Sequence, residues 1–257
     1  MDLSCVLWIG GATGAGKTSI SRALAYRHDL QLYNVDHRTY DHVLRLPPAP
    51  KPDWSRPPDE LAARFVAHAV ERRGLVLDDL AALASSPGAI AEGPFLLPEL
   101  VPAGAQAVFL IPTEERAAST VAERKSPSVL VDRNRLLAER IESSAALLGF
   151  AVIHVDRPLA GMIERVDAHF AGALAMLPRS IDRPAVRRFE NDVLARQVRL
   201  YKDSGDSPGD LASDDWLLPF ACECARPGCD ETIELSLAGY EELSAGGDRS
   251  PLRRPRP

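Results

Sequence analysis

The chain has 257 residues, 46% hydrophobic and 26% charged, which is enough for one α/β domain with an appendage or for two small domains. A formal net charge of -6 gives no electrostatic ground for a nucleic-acid partner, and no stretch approaches the roughly 20 apolar residues that span a bilayer. The 4 cysteines are too few for a disulfide scaffold, and the short apolar run at the start is no signal-peptide core, so a reducing cytoplasmic compartment is expected.

Cys5–Ile9 is a short β-favouring run that ends on Gly10 and Gly11, the pattern of a buried strand entering a loop. A helix is expected from Lys17 through Tyr26, with Ile20 and Leu24 on its apolar face. A second strand over Gln31–Val35 runs into Asp36, His37 and Arg38, and Pro47, Pro48, Pro50, Pro52 and Pro57 then mark an irregular connection. The next helix is expected over Pro58–Arg73, with Leu61, Phe65, Val66 and Val70 along one side. Ala89–Ala91 resumes extended structure and leads into Glu92-Gly93-Pro94. Ala107–Ile111 is the fourth strand; helices follow over Thr113–Lys125 and Asn134–Leu148, then a strand over Ala151–Val155 and a helix over Leu159–Phe170.

Five short apolar strands separated by helices are the pattern of a parallel sheet wrapped on both faces by crossover helices, closing near Pro178. The expected organisation is a core over 1–178, a helix and Gly/Ser/Asp-rich linker over 179–213, a small cysteine-containing module over 214–245 and a disordered tail over 246–257. The basic residues Arg249, Arg253, Arg254 and Arg256 read as part of that solvated tail.

Gly11-Ala12-Thr13-Gly14-Ala15-Gly16-Lys17-Thr18 matches G-x-x-x-x-G-K-[ST] in full. Glycines let such a loop curl until successive backbone N–H groups face the β- and γ-phosphates of ATP, with a helix N-terminus behind them. Lys17 adds a mobile positive charge, and the Thr18 hydroxyl offers a Mg²⁺ ligand. A strand before the motif and a helix after it supply the context that the mechanism needs.

Asp36 falls at the carboxyl end of the second strand, where ligands of open parallel sheets bind. It is a candidate to position an acceptor hydroxyl or take its proton, the plainer alternative being a turn or helix cap. Glu92 ends the third strand and is a candidate to hold Mg²⁺ through water, against a turn carboxylate with no ligand. Of Arg116, Arg124, Lys125, Arg133 and Arg135 beyond the fourth strand, Arg124 and Arg133 are the expected pair over the phosphates.

Near the end, Cys222, Cys224 and Cys229 place three thiols in eight residues. Structural Zn²⁺ takes four ligands, and no histidine lies beyond His169, so a reduced hairpin turn is the expected state, with zinc completed by Asp230, Glu231 or Cys5 as the alternative.

The phosphate loop after the first strand, Asp36 after the second, Glu92-Gly93 after the third and an arginine-bearing lid after the fourth together resemble the small P-loop kinases, the group of nucleoside monophosphate, shikimate and gluconate kinases. The resemblance covers about the first 170 residues. It implies a five-stranded parallel sheet with the phosphate-loop strand at its centre, ATP and Mg²⁺ as donor, and a small-molecule acceptor near Asp36 and the Pro58–Arg73 helix. The chain departs from the group in its long carboxyl extension, in a lid without a dense run of arginines, and in lacking paired aspartates near Asp36. Its Phe220–Leu243 segment is similar to a short cysteine-containing module found at the ends of bacterial proteins. The expected function is ATP-dependent transfer of a phosphoryl group to a small molecule; a nucleotide-binding regulatory protein is the alternative.

Overall fold

The computed structural model describes residues 2–48, 53–204, 216–245 and 252–253. Five strands, β1 (Val6–Gly11), β2 (Gln31–Asn34), β3 (Ala89–Glu92), β4 (Gln106–Pro112) and β5 (Ala151–Val155), form one sheet in the order β2-β3-β1-β4-β5. All four pairings are parallel, with Trp8 opposite Ala91 on one side and Ala107 on the other. The strand that feeds the glycine loop is therefore central, and all its residues are buried.

Helices α1 (Lys17–Arg27), α2 (Thr39–Arg45), α3 (Pro58–Ala82), α4 (Glu114–Glu123), α5 (Val129–Leu147) and α6 (Leu159–Met176) make the crossovers. Alternate residues of β1 serve opposite faces, as a period of two requires. Val6 and Trp8 pack with Ala69, Val76 and Leu80 of α3 and Ile141 of α5. Leu7 and Ile9 pack with Ile20 and Leu24 of α1 and Met162, Val166 and Phe170 of α6. Removing a ring such as Phe170 or Phe109 would cost about 3–5 kcal/mol, since each is almost wholly enclosed.

Helix α5 starts at Val129, before the expected Asn134, α6 runs on past Phe170 to Met176, and two other helices differ more from expectation. The helix from Pro58 runs on to Ala82, past Gly74. A Cβ added at Gly74 meets nothing within 4 Å, so that glycine lies on an open face, while Val76 and Leu80 continue the buried stripe of Leu61 and Ala69. The short helix α2 occupies part of the stretch read as irregular; it has no apolar stripe to announce it, and its anchor is the buried His42.

Beyond the sheet, α7 (Arg183–Asp203) packs beside edge strand β2, followed by the antiparallel hairpin β6 (Leu217–Ala221) and β7 (Thr232–Ser236) and by α8 (Leu237–Ser244). Ala195 and Val198 of α7, Leu218, Phe220, Leu237 and Tyr240 form a second core, in which the Phe220 and Tyr240 rings stack at 4.0 Å. Leu252, within the stretch expected to be disordered, is buried there: its N–H donates to the Glu223 carboxylate at 3.2 Å and its carbonyl accepts from the Glu223 N–H at 2.7 Å. Arg253 beside it is exposed, and the rest of the expected tail, with most of the expected linker after α7, lies outside the described residues. No helix among the described residues is long and apolar enough to cross a membrane.

Candidate functional site

The loop between β1 and α1 is shaped by three glycines with positive φ: Gly11 (127°), Gly14 (85°) and Gly16 (75°). At Gly11 a Cβ would stand 2.1 Å from the Leu110 carbonyl oxygen, so the loop leaves the sheet by a path closed to any side chain. Gly16 is the N-cap of α1, and no side chain caps that helix. Its first N–H groups and its dipole are thus directed at the space enclosed by the loop.

Lys17 is buried on the first turn of α1, and its ammonium donates to the Ala12 carbonyl at 2.8 Å. Burial lowers its pKa, an effect that Glu92 and Asp36 oppose and Arg124 reinforces. Glu92, at the end of β3, is 1% exposed. Its pKa is pushed up to about 7, first by burial and then by the Asp36 charge, against the pull of Lys17 and a hydrogen bond with the Thr18 side chain. Its Oε1 has no hydrogen-bond partner among the described residues.

Asp36 follows β2 at the same end of the sheet and begins a 3-10 turn. Asn34 supplies the acceptor for that turn, its Oδ1 taking the N–H groups of Asp36 (2.8 Å) and His37 (3.2 Å). The Asp36 carboxylate is open to the cleft on one side, yet the protein around it raises its pKa by desolvation while Lys17, Arg72 and Arg124 draw it down. His37 beside it is held neutral, its pKa lowered to about 4 by burial and by Arg38.

Lys17, Thr18, Asp36, Glu92 and Arg124 thus fall into one electrostatic neighbourhood beside the phosphate loop. Arg124 is the exposed C-cap of α4. Arg133 is placed differently: its guanidinium donates to Asn134 Oδ1 at 2.7 and 3.2 Å and lies 5.6 Å from the Phe65 ring centroid. Burial alone lowers its pKa, with no contribution from the loop residues.

Two arginines belong to the neighbourhood without having been singled out by sequence. Arg116 donates from Nε to the Gly14 carbonyl at 2.9 Å, so α4 grips the loop directly. Its position in the first turn after β4 was the available signal. Arg72 is fully buried on α3, bonded to the Val35 carbonyl (3.0 Å) and His42 Nδ1 (3.2 Å) and lying 4.3 Å from the Phe95 ring centroid. Its Nη1 has no partner among the described residues, and its charge acts on Asp36. No spacing rule marks a buried arginine inside an otherwise apolar helical stripe.

Two spaces adjoin these residues. A cavity of 380 Å³ has Thr18 and Asp36 on its wall together with Tyr33, Phe189 of α7 and Trp216 and Leu218 of the hairpin segment. An open groove of 570 Å³ runs along the loop's other side, lined by Gly14, Arg116, Thr120, Arg157 and Pro158.

The residues present fit a nucleoside triphosphate with Mg²⁺. An uncapped helix N-terminus behind a glycine loop suits phosphate, and a hydroxyl beside a buried carboxylate with an orphaned oxygen suits a hard cation.

No protein-family model matches the sequence, and no curated protein matches it. Among solved structures, shikimate kinase from Acinetobacter baumannii in complex with shikimate is similar at 14% identity with a TM-score of 0.45, over 65% of this chain and 93% of that one.

Proposed function

We propose that the chain is an ATP-dependent phosphotransferase acting on a hydroxyl-bearing small molecule. The observation that carries this reading is the joint placement of Lys17, Asp36 and Glu92, three charged groups from three different elements, around a complete phosphate loop at the carboxyl end of a parallel sheet.

In this reading the backbone N–H groups of Gly14–Thr18 and the Lys17 ammonium hold the phosphates, and Thr18 with Glu92 holds Mg²⁺. The nucleotide supplies the transferable phosphoryl group, and the ion neutralises charge on its oxygens. Lys17 must exchange its bond to the Ala12 carbonyl for one to phosphate, a small rearrangement within the same loop. Arg124 brings a mobile guanidinium over the transferring group, and Arg116 keeps the loop's curvature by holding the Gly14 carbonyl. The groove beside Gly14, Arg116 and Pro158 takes the base. Asp36 orients the acceptor hydroxyl and takes its proton, for which a raised carboxylate pKa is an advantage.

The acceptor's body lies in the 380 Å³ cavity, since Thr18 and Asp36 both stand on its wall. Tyr33, Phe189, Leu194, Val198 and Leu218 make that wall largely apolar, which favours an acceptor with an extended apolar part and a hydroxyl at one end.

The test is a screen of alcohols, sugars, nucleosides and antibiotics for acceptor-stimulated ADP release, read with a coupled assay. Asp36→Asn should cut transfer about 10²–10⁴-fold with ATP affinity kept. ATP binding with no stimulation by any acceptor class would instead favour a nucleotide-dependent regulatory protein.

A further inference from the structure

The C-terminal hairpin gathers its three sulfurs at one point: the Sγ atoms of Cys222, Cys224 and Cys229 all lie within 4.8 Å of one another. None of these cysteines is in a disulfide. Sulfurs around one tetrahedral zinc stand about 3.8 Å apart, given Zn–S bonds of about 2.3 Å, so small side-chain rotations bring the cluster to coordinating distance.

The backbone around the cluster is held in place. Cys222 follows β6 directly and continues the hairpin, its N–H donating to the Glu231 carbonyl at 3.0 Å. Gly228, with φ of 65°, turns the chain so that the Cys229 N–H meets the Arg226 carbonyl at 3.3 Å. Arg183, buried on the first turn of α7, donates to the carbonyls of Cys222 (3.3 Å), Cys224 (2.9 Å) and Cys229, clamping all three residues with one guanidinium. Arg226 Nη2 lies 3.2 Å from the Cys229 sulfur.

Thiols that serve only as small apolar side chains need neither convergence nor cationic neighbours. Three thiolates around a divalent ion carry one net negative charge, and the Arg183 and Arg226 guanidiniums adjoin the cluster, each also paired with a carboxylate, Asp29 and Glu231. Among the described residues no carboxylate or imidazole joins the three sulfurs, and Glu231 is paired with Arg226 at 3.1 Å.

We propose that Cys222, Cys224 and Cys229 bind one soft divalent cation of the zinc class as thiolates, with the fourth coordination position taken by water or an exogenous ligand beside the partly exposed Cys224. Each thiol gives up its proton to solvent on binding, so up to three protons are released per ion. The site is joined to the core through Asp29, whose carboxylate accepts from Arg183 Nε at 3.1 Å and from the Gly228 N–H at 3.4 Å. Metal binding therefore firms the hairpin that walls the acceptor cavity, yet the proposal stands whether or not transfer occurs.

The experiment uses the full chain purified under reductant without added metal. Zinc is measured by mass spectrometry, Co²⁺ is titrated into the metal-free chain, and reactive thiols are counted with and without Zn²⁺. Expected are one ion per chain, a thiolate-to-cobalt charge-transfer band and proton release. Zinc should protect three thiols and leave Cys5 reactive, and Cys224→Ser should lose the band. Four equally reactive thiols with and without stoichiometric Zn²⁺ would overturn the proposal, as would a disulfide between two of the three in a chain that retains no ion. Should Cys224→Ser fail to fold, thiol protection in the unaltered chain decides.

Discussion

Charge is buried in two regions of this molecule, and it is treated differently in each. Between α7 and the core, Arg187 is 0% exposed, yet it donates to both Glu190 oxygens (2.6 and 2.7 Å) and to the Leu30 carbonyl (2.6 Å), and it lies 3.9 Å from the Tyr26 ring centroid. Glu223, also wholly buried, accepts from Asn191 (3.0 Å), Arg188 (3.3 Å) and the Leu252 N–H. Around the phosphate loop, the Glu92 Oε1 atom has no partner among the described residues and Lys17 has a loop carbonyl; the two buried arginines do not differ in this respect, since Arg72 Nη1 and Arg187 Nε each lack a partner among the described residues. A buried carboxylate whose hydrogen bonds are met, such as Glu223, holds parts together, whereas one kept short of partners, such as Glu92, stores a capacity to bind. The first region is read as structural on these grounds and the second as a ligand site.

The widest separation between the regions is expected at Lys17. Lys17→Ala should lower acceptor-dependent ATP turnover by about 10³-fold while leaving the melting temperature unchanged or slightly raised, because it removes a buried charge that serves a ligand. Steady-state kinetics paired with thermal unfolding would break the comparison if the variant melted early or turned over normally.

Arg187→Ala should do the reverse. Removing one partner from the buried pair leaves Glu190 uncompensated and costs about 3–5 kcal/mol, read by denaturant unfolding, with faster proteolysis between α7 and α8. An unchanged midpoint would show that the packing of α7, and not its charges, holds the extension.

Glu92 sharpens the contrast through pH. Its folded pKa of about 7 lies above the ordinary 4.5, so the stabilisation is full below pH 4.5 and is lost as pH rises to 7, with no further change above. Glu92→Gln should therefore raise the stability of the ligand-free chain at pH 8 by about 3 kcal/mol, leave it unaltered near pH 4, and abolish Mg²⁺-dependent turnover. Equal effects at both pH values would indicate lost packing.

The smallest effect is expected among the arginines. Arg116→Ala should raise the KM for ATP about tenfold by freeing the Gly14 carbonyl, whereas Arg133→Ala should leave that KM alone. Reversal of the two would return Arg133 to the phosphates.

The sheet and its central strand were legible in the sequence because the inner strands β1, β3 and β4 are buried on both faces and so appear as nearly continuous apolar runs between loops, while the edge strand β5 is only partly buried. The phosphate loop was legible because its glycines answer to backbone geometry that no other residue supplies. Asp36 and Glu92 were legible as strand-end carboxylates, through position along the chain. Arg72 was not, because its role depends on α3 crossing behind β2 and meeting Val35 and Phe95, contacts made at long range. The gathering of Cys222, Cys224 and Cys229 was half legible: the spacing showed the density of thiols, while their convergence depends on the β6–β7 turn and on Arg183.

The way α7 covers β2 has a consequence for any attempt to shorten the chain. β2 is the end strand of the sheet, and the outward N–H of Leu32 donates to Glu190 at 2.7 Å while the Leu30 carbonyl accepts from Arg187. A chain stopped after Pro178 would keep every strand of the sheet and the whole phosphate loop, but it would expose this strand's unpaired donors and acceptors as a template for another copy. Such a fragment should self-associate and precipitate. A useful minimal version must extend at least through α7, so the sheet and its helical extension behave as one inheritable unit.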